Sequence, residues 1–271
     1  MKPMARYFAR IFRLWPLLAL PATLGAQFLT ELAPQTSKAF DEYQKAAEAR
    51  MDWKAHLAPA PGEVKIAASE QQSMIEVPGG LIHDWRAATV APGATAEQVL
   101  AVLSDYANYK TIYAPEVVDS RVLGHDGNRW RLYLRLVKKK VLTVTLNSEY
   151  EAEYHPLGQG RWNKVSRSIK LTEVSGGKEL APGTGHGFIW RLNSYWLIEP
   201  RPNGVYIECR SISLSRNIPA VLDWIIRPMI TSVPRESLRN TLDATVRALG
   251  KEHPALALHA AAGTRRNTAK E

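Results

Sequence analysis

Six segments with the length and alternation of β-strands lie between residues 116 and 215, and they restrict the fold more than any other feature. Apolar and polar residues alternate along them, which is typical of strands with one buried face. Turns rich in Gly, Pro, Asn or Lys separate them, so the sequence predicts a long antiparallel meander. The predicted strands are Glu116–Leu123, Arg129–Val137, Val141–Tyr154, Arg161–Val174, Gly187–Ile198 and Val205–Ser215.

Two turns predict how neighbouring strands pair, because loop length sets the register of a hairpin. A three-residue loop is predicted at Lys138–Lys140, and a type I′ turn is predicted at Asn203–Gly204. The predicted pairs are Leu136 with Leu142, Leu134 with Val144, Leu132 with Leu146, Trp196 with Ser211 and Ser194 with Ser213.

These registers give the sheet one apolar face, with a few hydroxyls and indoles, and one polar face that suits water. Glu208 and Arg210 fall on the polar face. A bulge that turned them inward would make them a buried ion pair, and a better catalytic or anchoring pair. Without a bulge, most charge lies outside the apolar face.

A hairpin and two short helices are predicted before the meander. Ser73–Val77 and Leu81–Ala91 flank Pro78-Gly79-Gly80, which is a hairpin signal. Thr95 and Gln98 then have the spacing of a capping box, so a short helix begins there. A second short helix or turn is predicted at Tyr106–Tyr113.

Longer helices are predicted at both ends of the chain. Residues 35–54 have apolar positions at helical spacing, and this amphipathic helix either packs on the following domain or caps a cavity. Ile218–Leu249 predicts a C-terminal helix that Pro228 and Pro234 kink or interrupt, with a break at Ser232 or Val233. The predicted inner positions of the first helix are Phe40, Tyr43, Ala47, Met51 and Lys54.

Charge and cysteine content exclude several classes of function. The formal net charge is +9, but residues 1–26 contribute four cations and no acid, so the rest is only mildly basic. We therefore expect no nucleic acid as a partner. The single cysteine, Cys209, excludes an intramolecular disulfide and is interpreted as a small buried hydrophobe. No histidine spacing or phosphate-binding loop points to a metal or a cofactor, so none is expected.

Residues 1–26 have the pattern of a secretory signal. A basic segment precedes Leu14–Ala26, which is apolar but too short for a membrane-spanning helix. We predict a secreted or periplasmic protein, with an uncleaved membrane anchor as the alternative. The predicted organisation is a signal peptide (1–26), an amphipathic helix and linker (27–62), a main domain (63–250) and a disordered tail (251–271).

Three motifs resemble exported, functionally uncharacterised bacterial members of the START-like (SRPBCC) superfamily. They are Gly79-Gly80-Leu81-Ile82-His83-Asp84-Trp85, Tyr133-Leu134-Arg135-Leu136-Val137-Lys138-Lys139-Lys140 and Trp190-Arg191-Leu192-Asn193-Ser194-Tyr195-Trp196. The segment from Pro92 to Val117 is similar to the first-strand-to-helix entry of that superfamily. The resemblance implies an α+β helix-grip fold: a curved antiparallel sheet of about six to seven strands that grips a long C-terminal helix, with a ligand cavity between them.

The predicted apolar face would line that cavity, and apolar walls with a few hydroxyls suit a hydrophobic ligand with one polar end. The same residues would also suit a plain core without a ligand. His83, on the inward side of a predicted first strand, is a weak catalytic candidate that is otherwise a hydrogen-bonded core residue. The ligand-binding candidates are Trp130, Tyr150, Ser166, Ser168, Trp190, Ser194, Trp196, Ser211 and Ser213.

Two main functions follow from the resemblance, since this superfamily includes lipid carriers, coenzyme Q-binding proteins and polyketide cyclases. The first is a non-enzymatic carrier or sensor of a lipid, quinone or polyketide-like molecule outside the cytoplasm. The alternative is a cyclase or aromatase, which requires ionisable groups inside the cavity. A third hypothesis is an interaction domain without a cavity. The predicted partner is a small hydrophobic molecule; transient membrane contact and the oligomeric state stay open.

Overall fold

The structure is a computed structural model that describes residues 29–139, 143–217, 223–251 and 253. In these residues a ten-stranded antiparallel sheet forms the centre of the fold. Its main strand order is β2-β4-β12-β11-β8-β7-β6-β5, with β3 also paired to β4 and β9 to β8. Strands β1 and β10 form a separate pair. The strands are β1 (Thr30–Glu31), β2 (Lys65–Ala68), β3 (Met74–Val77), β4 (Gly80–Pro92), β5 (Val117–Asp126), β6 (Arg129–Lys139), β7 (Thr143–Gly158), β8 (Arg161–Ser175), β9 (Lys178–Glu179), β10 (Thr184–Gly185), β11 (Arg191–Arg201) and β12 (Gly204–Arg216).

The six strands predicted from the sequence correspond to β5–β8, β11 and β12, and the predicted first hairpin is β3–β4. The large sheet nevertheless has more strands than the six to seven expected. The additional strands β2 and β9 contain only four and two residues. Segments this short carry too little alternation to be recognised in a sequence.

Both predicted hairpin registers are wrong by an even number of residues. Leu136 lies opposite Leu146 instead of Leu142, a shift of four residues. Trp196 lies opposite Cys209 instead of Ser211. Because side chains alternate with a period of two, an even shift leaves every residue on its predicted face.

The β11–β12 turn contains Pro202 and Asn203, and Gly204 already belongs to β12. The φ angle of Gly204 is 150°, and a Cβ atom there would lie 2.2 Å from the carbonyl oxygen of Ala91 on β4. Gly204 is therefore required by the close approach of the neighbouring strand and not by the turn itself.

In the described ranges, four α-helices accompany the sheet: α1 (Pro34–Ala49), α2 (Ala96–Ser104), α3 (Tyr109–Ile112) and α4 (Asp223–Ala248). A 3₁₀ turn at Tyr106–Asn108 joins α2 to α3. The capping box of α2 is confirmed: the Gln98 amide donates to Thr95 Oγ1 over 3.3 Å, and the Thr95 amide donates to Gln98 Oε1 over 2.9 Å.

Helix α1 ends five residues earlier than predicted, at Ala49. Trp53 has a φ angle of 51°, in the left-handed region that a helix cannot include, so the chain after α1 is irregular. Phe40 and Ala47 are buried as predicted, whereas Lys54 lies beyond the helix and is exposed.

Helix α4 runs without interruption through Ser232, Val233 and Pro234, so the predicted break is wrong. A proline inside a helix removes one hydrogen bond, at a cost of about 3 kcal/mol. Burial of the following turns offsets that cost, since Leu238, Leu242 and Thr245 are buried. No helix in the described part of the chain is long and apolar enough to cross a membrane.

The helices cover the two faces of the sheet unequally. The short helices and α4 pack on the apolar face and form the larger core cluster, which includes Leu103, Leu238 and Leu242. Helix α1 packs on the opposite face, where Phe40 and Ala47 contact the second cluster. Packing is thus the observed role of α1. The predicted signal peptide and nearly all of the predicted tail lie outside the described residues.

A candidate ligand-binding cavity between the sheet and the C-terminal helix

A cavity of about 500 Å³ lies between the apolar face of the sheet and α4. This volume is within the range of sites for small organic molecules, which is about 300–1,000 Å³. Its walls come from β4, β6–β8, β11 and β12 on the sheet side, and from α3 and α4 on the other. The aliphatic lining includes Leu132, Leu134, Leu136, Val144, Leu146 and Leu192.

Six of the nine ligand-binding candidates line this cavity. They occupy inward positions of four neighbouring strands and supply hydroxyls and one indole to the apolar wall. The six residues are Tyr150, Ser166, Ser194, Trp196, Ser211 and Ser213. Trp196 is held in place by a 3.3 Å hydrogen bond from its Nε1 to Ser194 Oγ.

Trp130 and Ser168 lie on cavity-forming strands but outside the cavity itself. Trp130 stacks on His125, with ring centres 4.4 Å apart, beyond the end of the cavity. Ser168 stands beside a β-bulge that makes Ile169 an extra residue on β8. Its Oγ accepts a 3.0 Å hydrogen bond from the amide of Leu192, so it stabilises the strand junction.

Trp190 is also outside the cavity, because the residues just before β11 do not continue the strand. Strand β11 begins at Arg191 and not at Gly187 as predicted. Trp190 is buried in the cluster beneath α1, together with Phe40 and Tyr195. Strand alternation therefore does not predict its direction.

His83 lines the cavity and is 3% exposed. Its Nε2 lies 3.0 Å from Ser215 Oγ, and its Nδ1 is buried without a hydrogen-bond partner among the described residues. Burial lowers its pKa to about 4, because a charged imidazole is poorly solvated there. At neutral pH His83 is therefore an uncharged polar group in the wall, consistent with a hydrogen-bonded core residue.

Lys164 is a cavity residue that the sequence analysis missed. It lies on β8, is 4% exposed and lines the cavity beside Ser166 and Trp196. Its Nζ donates to the carbonyl oxygen of Leu103 over 3.2 Å and to the hydroxyl of Tyr109 over 3.1 Å. Burial lowers the pKa of this amine to about 7.

The strand pattern contained the signal for Lys164. It alternates with Trp162 and Ser166 along predicted strand Arg161–Val174, and Ser166 was itself assigned to the inward face. A lysine at an inward position is unusual, because an ammonium group is rarely buried unless it is paired. The alternation that places Ser166 on the inward face therefore also places Lys164 there.

A tyrosine cluster forms one end of the cavity around Lys164. The hydroxyls of Tyr109 and Tyr154 both donate to the Leu103 carbonyl, over 2.5 and 2.6 Å. Tyr106 and Tyr154 are joined through their hydroxyls at 2.9 Å. Burial raises the pKa of all three phenols above the ordinary value, so they stay neutral at physiological pH.

A polar group forms the rim where β5 and β6 meet α4. Lys138 Nζ lies 2.6 Å from Glu116 Oε1 and 3.2 Å from Ser237 Oγ. Asn240 of α4 donates to the same Glu116 oxygen over 2.6 Å. Lys138 was predicted to lie in the loop Lys138–Lys140, but it belongs to β6 and connects the sheet to α4 beside the cavity.

The opposite face of the sheet holds buried ion pairs. As predicted, Glu208 and Arg210 point away from the cavity, but α1 and the chain after it cover them, so they are 3% and 4% exposed. Arg210 binds both oxygens of Asp84, over 2.9 and 2.5 Å. Glu208 pairs with Arg86 and accepts a 3.0 Å bond from the amide of His56.

No group of three or more potential metal ligands occurs among the described residues. Cys209, predicted to be a small buried hydrophobe, is buried in the cavity wall, and burial raises the pKa of its thiol well above the ordinary range.

The order of the elements and the position of α4 define an α+β helix-grip fold, as the sequence resemblance implied. Structures similar to this chain have the START-like (SRPBCC) fold. No protein-family model matches the chain, and no curated protein matches its sequence.

Three solved structures illustrate the similarity. A STAR-related lipid transfer protein from Xanthomonas axonopodis is 18% identical, with 66% of this chain and 98% of that chain covered and a TM-score of 0.47. The Zhui aromatase/cyclase from a Streptomyces species is 14% identical, with coverages of 62% and 94% and a TM-score of 0.45. Human STARD10 is 13% identical, with coverages of 80% and 82% and a TM-score of 0.47.

Proposed function

We propose that this protein is a non-enzymatic carrier or sensor that holds a hydrophobic ligand, such as a lipid, a quinone or a polyketide-like molecule, in the helix-grip cavity. The observation that supports the proposal is a cavity of about 500 Å³ whose wall is made mainly of aliphatic and aromatic side chains. A folded chain would fill such a space with its own side chains if it served only as a core, because protein interiors are close-packed.

Transfer of an apolar ligand from water into such a cavity is strongly favourable. Each buried methylene group contributes about 0.8 kcal/mol, so a chain of several methylenes is strongly favoured over exposure to water. The serine hydroxyls of β8, β11 and β12 provide weak polar contacts without an isolated charge. Such a wall retains an apolar molecule without chemical change.

We place this activity outside the cytoplasm, in a secreted or periplasmic protein. The support comes from the basic segment and the 13-residue apolar stretch Leu14–Ala26 at the N-terminus. An apolar molecule in a watery compartment needs a protein that shields it. Sequencing the N-terminus of the mature protein from a periplasmic or secreted fraction tests this part of the proposal.

Native mass spectrometry of the purified protein, with lipid extraction of the same sample, is the direct test. We expect a stoichiometric mass increment that disappears on denaturation, together with an unmodified apolar molecule in the extract. Protein that is empty after purification and that takes up no added lipid or quinone would contradict the proposal.

A cavity-filling variant tests whether the ligand occupies this cavity. Ser194→Leu places a bulkier apolar side chain on β11 within the cavity wall, so we expect ligand retention to fall at least tenfold while the fold is kept. Ser175→Leu is the matched control, because Ser175 is exposed near the end of β8. Equal retention by both variants would show that the ligand lies elsewhere.

A cyclase-like enzyme is the second candidate, and one observation favours it. Lys164 and His83 are both ionisable and both line the cavity, whereas a carrier requires no such groups. Proton transfer from a positioned side chain is the chemistry that such an enzyme would use. Incubation with a linear poly-β-ketone, followed by liquid chromatography and mass spectrometry, distinguishes the two: cyclised product that depends on Lys164 or His83 supports the enzyme.

A further inference from the structure

Lys164 is a buried amine whose charge has no counter-charge among the described residues. In the described part of the chain, its polar partners are the Leu103 carbonyl and the Tyr109 hydroxyl, and no carboxylate pairs with it. Buried charges in proteins are normally paired, since an isolated one is poorly solvated. On the other face of the same sheet, Arg86 and Arg210 each have a carboxylate partner.

The neutral groups around Lys164, a carbonyl at a helix end and several aromatic rings, favour the charged form of its amine. Leu103 lies in the last turn of α2, where carbonyl groups carry the negative end of the helix dipole. Nζ also lies near four aromatic rings, and cations are attracted to such faces. The ring centres of Tyr106, Tyr109, Tyr154 and Trp196 are 4.9, 5.6, 5.6 and 5.8 Å from Nζ.

This site is directly continuous with the apolar cavity. Lys164, Tyr109 and Trp196 line the same space as Leu132 and Leu146. An ammonium has three hydrogen atoms to donate, and the two observed bonds leave one for a ligand. The cavity therefore has an apolar wall and, at the tyrosine cluster, a cationic donor.

We infer that Lys164 anchors the anionic head of an amphiphile, a carboxylate, whose hydrocarbon chain lies against the leucines of β6 and β7. This inference rests on the proposed ligand-binding function and specifies the ligand's polar end. The carboxylate supplies the counter-charge that the described residues do not provide. A neutral alcohol of the same length can accept one hydrogen bond but cannot neutralise the charge.

The anchor makes binding depend on pH. The titratable groups facing Lys164 are Tyr106, Tyr109, Tyr154 and Cys209, and burial raises the pKa of each one, so they stay neutral between pH 6 and 9. In the empty protein the Lys164 pKa is lowered to about 7, chiefly by burial. Above that pH Lys164 is mostly uncharged, so binding of the anion requires the amine to take up a proton. The affinity for the anion therefore falls by up to about tenfold per pH unit.

The test compares dodecanoate with 1-dodecanol by isothermal titration calorimetry on the intact protein. At pH 6 we expect dodecanoate to bind at least tenfold more tightly than the alcohol. Lys164→Met keeps a similar length without the charge, and it should abolish that preference by lowering the affinity for dodecanoate much more than the affinity for the alcohol. Lys178→Met is the matched control, because Lys178 is exposed on β9 and should have no effect.

Three results would overturn the inference. Equal affinities for acid and alcohol, or a preference that survives Lys164→Met, would show that Lys164 is not the anchor although the cavity binds alkyl chains. Dodecanoate affinity that is constant from pH 6 to 9 would do the same. If neither probe binds the folded wild-type protein, the inference fails together with the proposal of an alkyl-chain carrier.

Discussion

The two faces of the central sheet differ in whether their buried charged side chains have partners of opposite charge, although the same strands form both faces. Beneath α1, Arg210 is fixed by both oxygens of Asp84, and Tyr43 donates to the same carboxylate over 2.7 Å. On the cavity face, Lys164 has only a carbonyl and a hydroxyl as polar partners among the described residues. Among the described residues, Arg210 beneath α1 therefore has a partner of opposite charge, and Lys164 on the cavity face does not.

This difference indicates which face is built for structure and which for a ligand. A paired charge resists rearrangement, because removing one partner leaves the other buried and uncompensated. An unpaired amine in a cavity lowers stability until something binds it. The face beneath α1 therefore stabilises the fold, and the cavity face keeps a group whose missing partner a ligand can supply.

Breaking the ion pair should give the largest effect. Asp84→Asn removes the charge opposite Arg210, and we expect a loss of about 3 kcal/mol in the free energy of unfolding, measured by urea denaturation. Glu70→Gln is the control, since Glu70 lies 3.4 Å from Arg210 but is half exposed and contributes less than about 1 kcal/mol. Similar losses of unfolding free energy in both variants would show that the buried pair contributes no more to stability than the exposed one.

The unpaired amine should make stability rise with pH. Between pH 7 and 9 the unfolded chain holds the Lys164 proton, whose ordinary pKa is 10.5, more firmly than the native state, whose pKa is about 7. The unfolding free energy should therefore increase with pH, by at most about 1.4 kcal/mol per unit and about 2 kcal/mol in total. Lys164→Met should remove this increase; urea unfolding curves that keep the same slope in the variant would contradict the prediction.

His83 should produce a smaller dependence at acid pH. Its pKa is lowered from 6.5 to about 4, so the unfolded chain binds the proton more readily between these values and stability falls as pH falls. We expect His83→Gln to be less sensitive than the wild type by about 1 kcal/mol between pH 6 and 5. Carboxylates titrate in both proteins and cancel in the comparison. Parallel curves would show that His83 is already charged in the native state.

Ser168→Ala should have the smallest effect and tests which residues belong to the cavity. It removes one hydrogen bond from the Leu192 amide, which costs about 0.5–1 kcal/mol, and leaves the cavity wall unchanged. Ligand affinity should stay within twofold of the wild type in calorimetry. A larger loss of affinity, with stability preserved, would place Ser168 in the ligand site after all.

The ligand-binding candidates show where strand alternation predicts the correct face of the sheet and where it does not. Both hairpin registers were shifted, yet Ser194, Ser211 and Tyr150 still face the cavity, because an even shift preserves the face. Ser168 and Trp190 were misplaced where the regular strand is interrupted, at a bulge and before β11 begins. A bulge depends on contacts between strands and has no fixed signature in the sequence.

The sequence by itself determined the order of strands and helices, the helix-grip fold and the division of each long strand into two faces, because turn residues and the two-residue period are local properties. Only the tertiary structure decided that α1 would cover the polar face and so bury Arg210 with Asp84, and that Lys164 would meet Leu103 and Tyr109. These pairs are separated by 126, 61 and 55 positions in the chain. Such contacts, and the pKa values that follow from them, arise only when distant segments exclude water together.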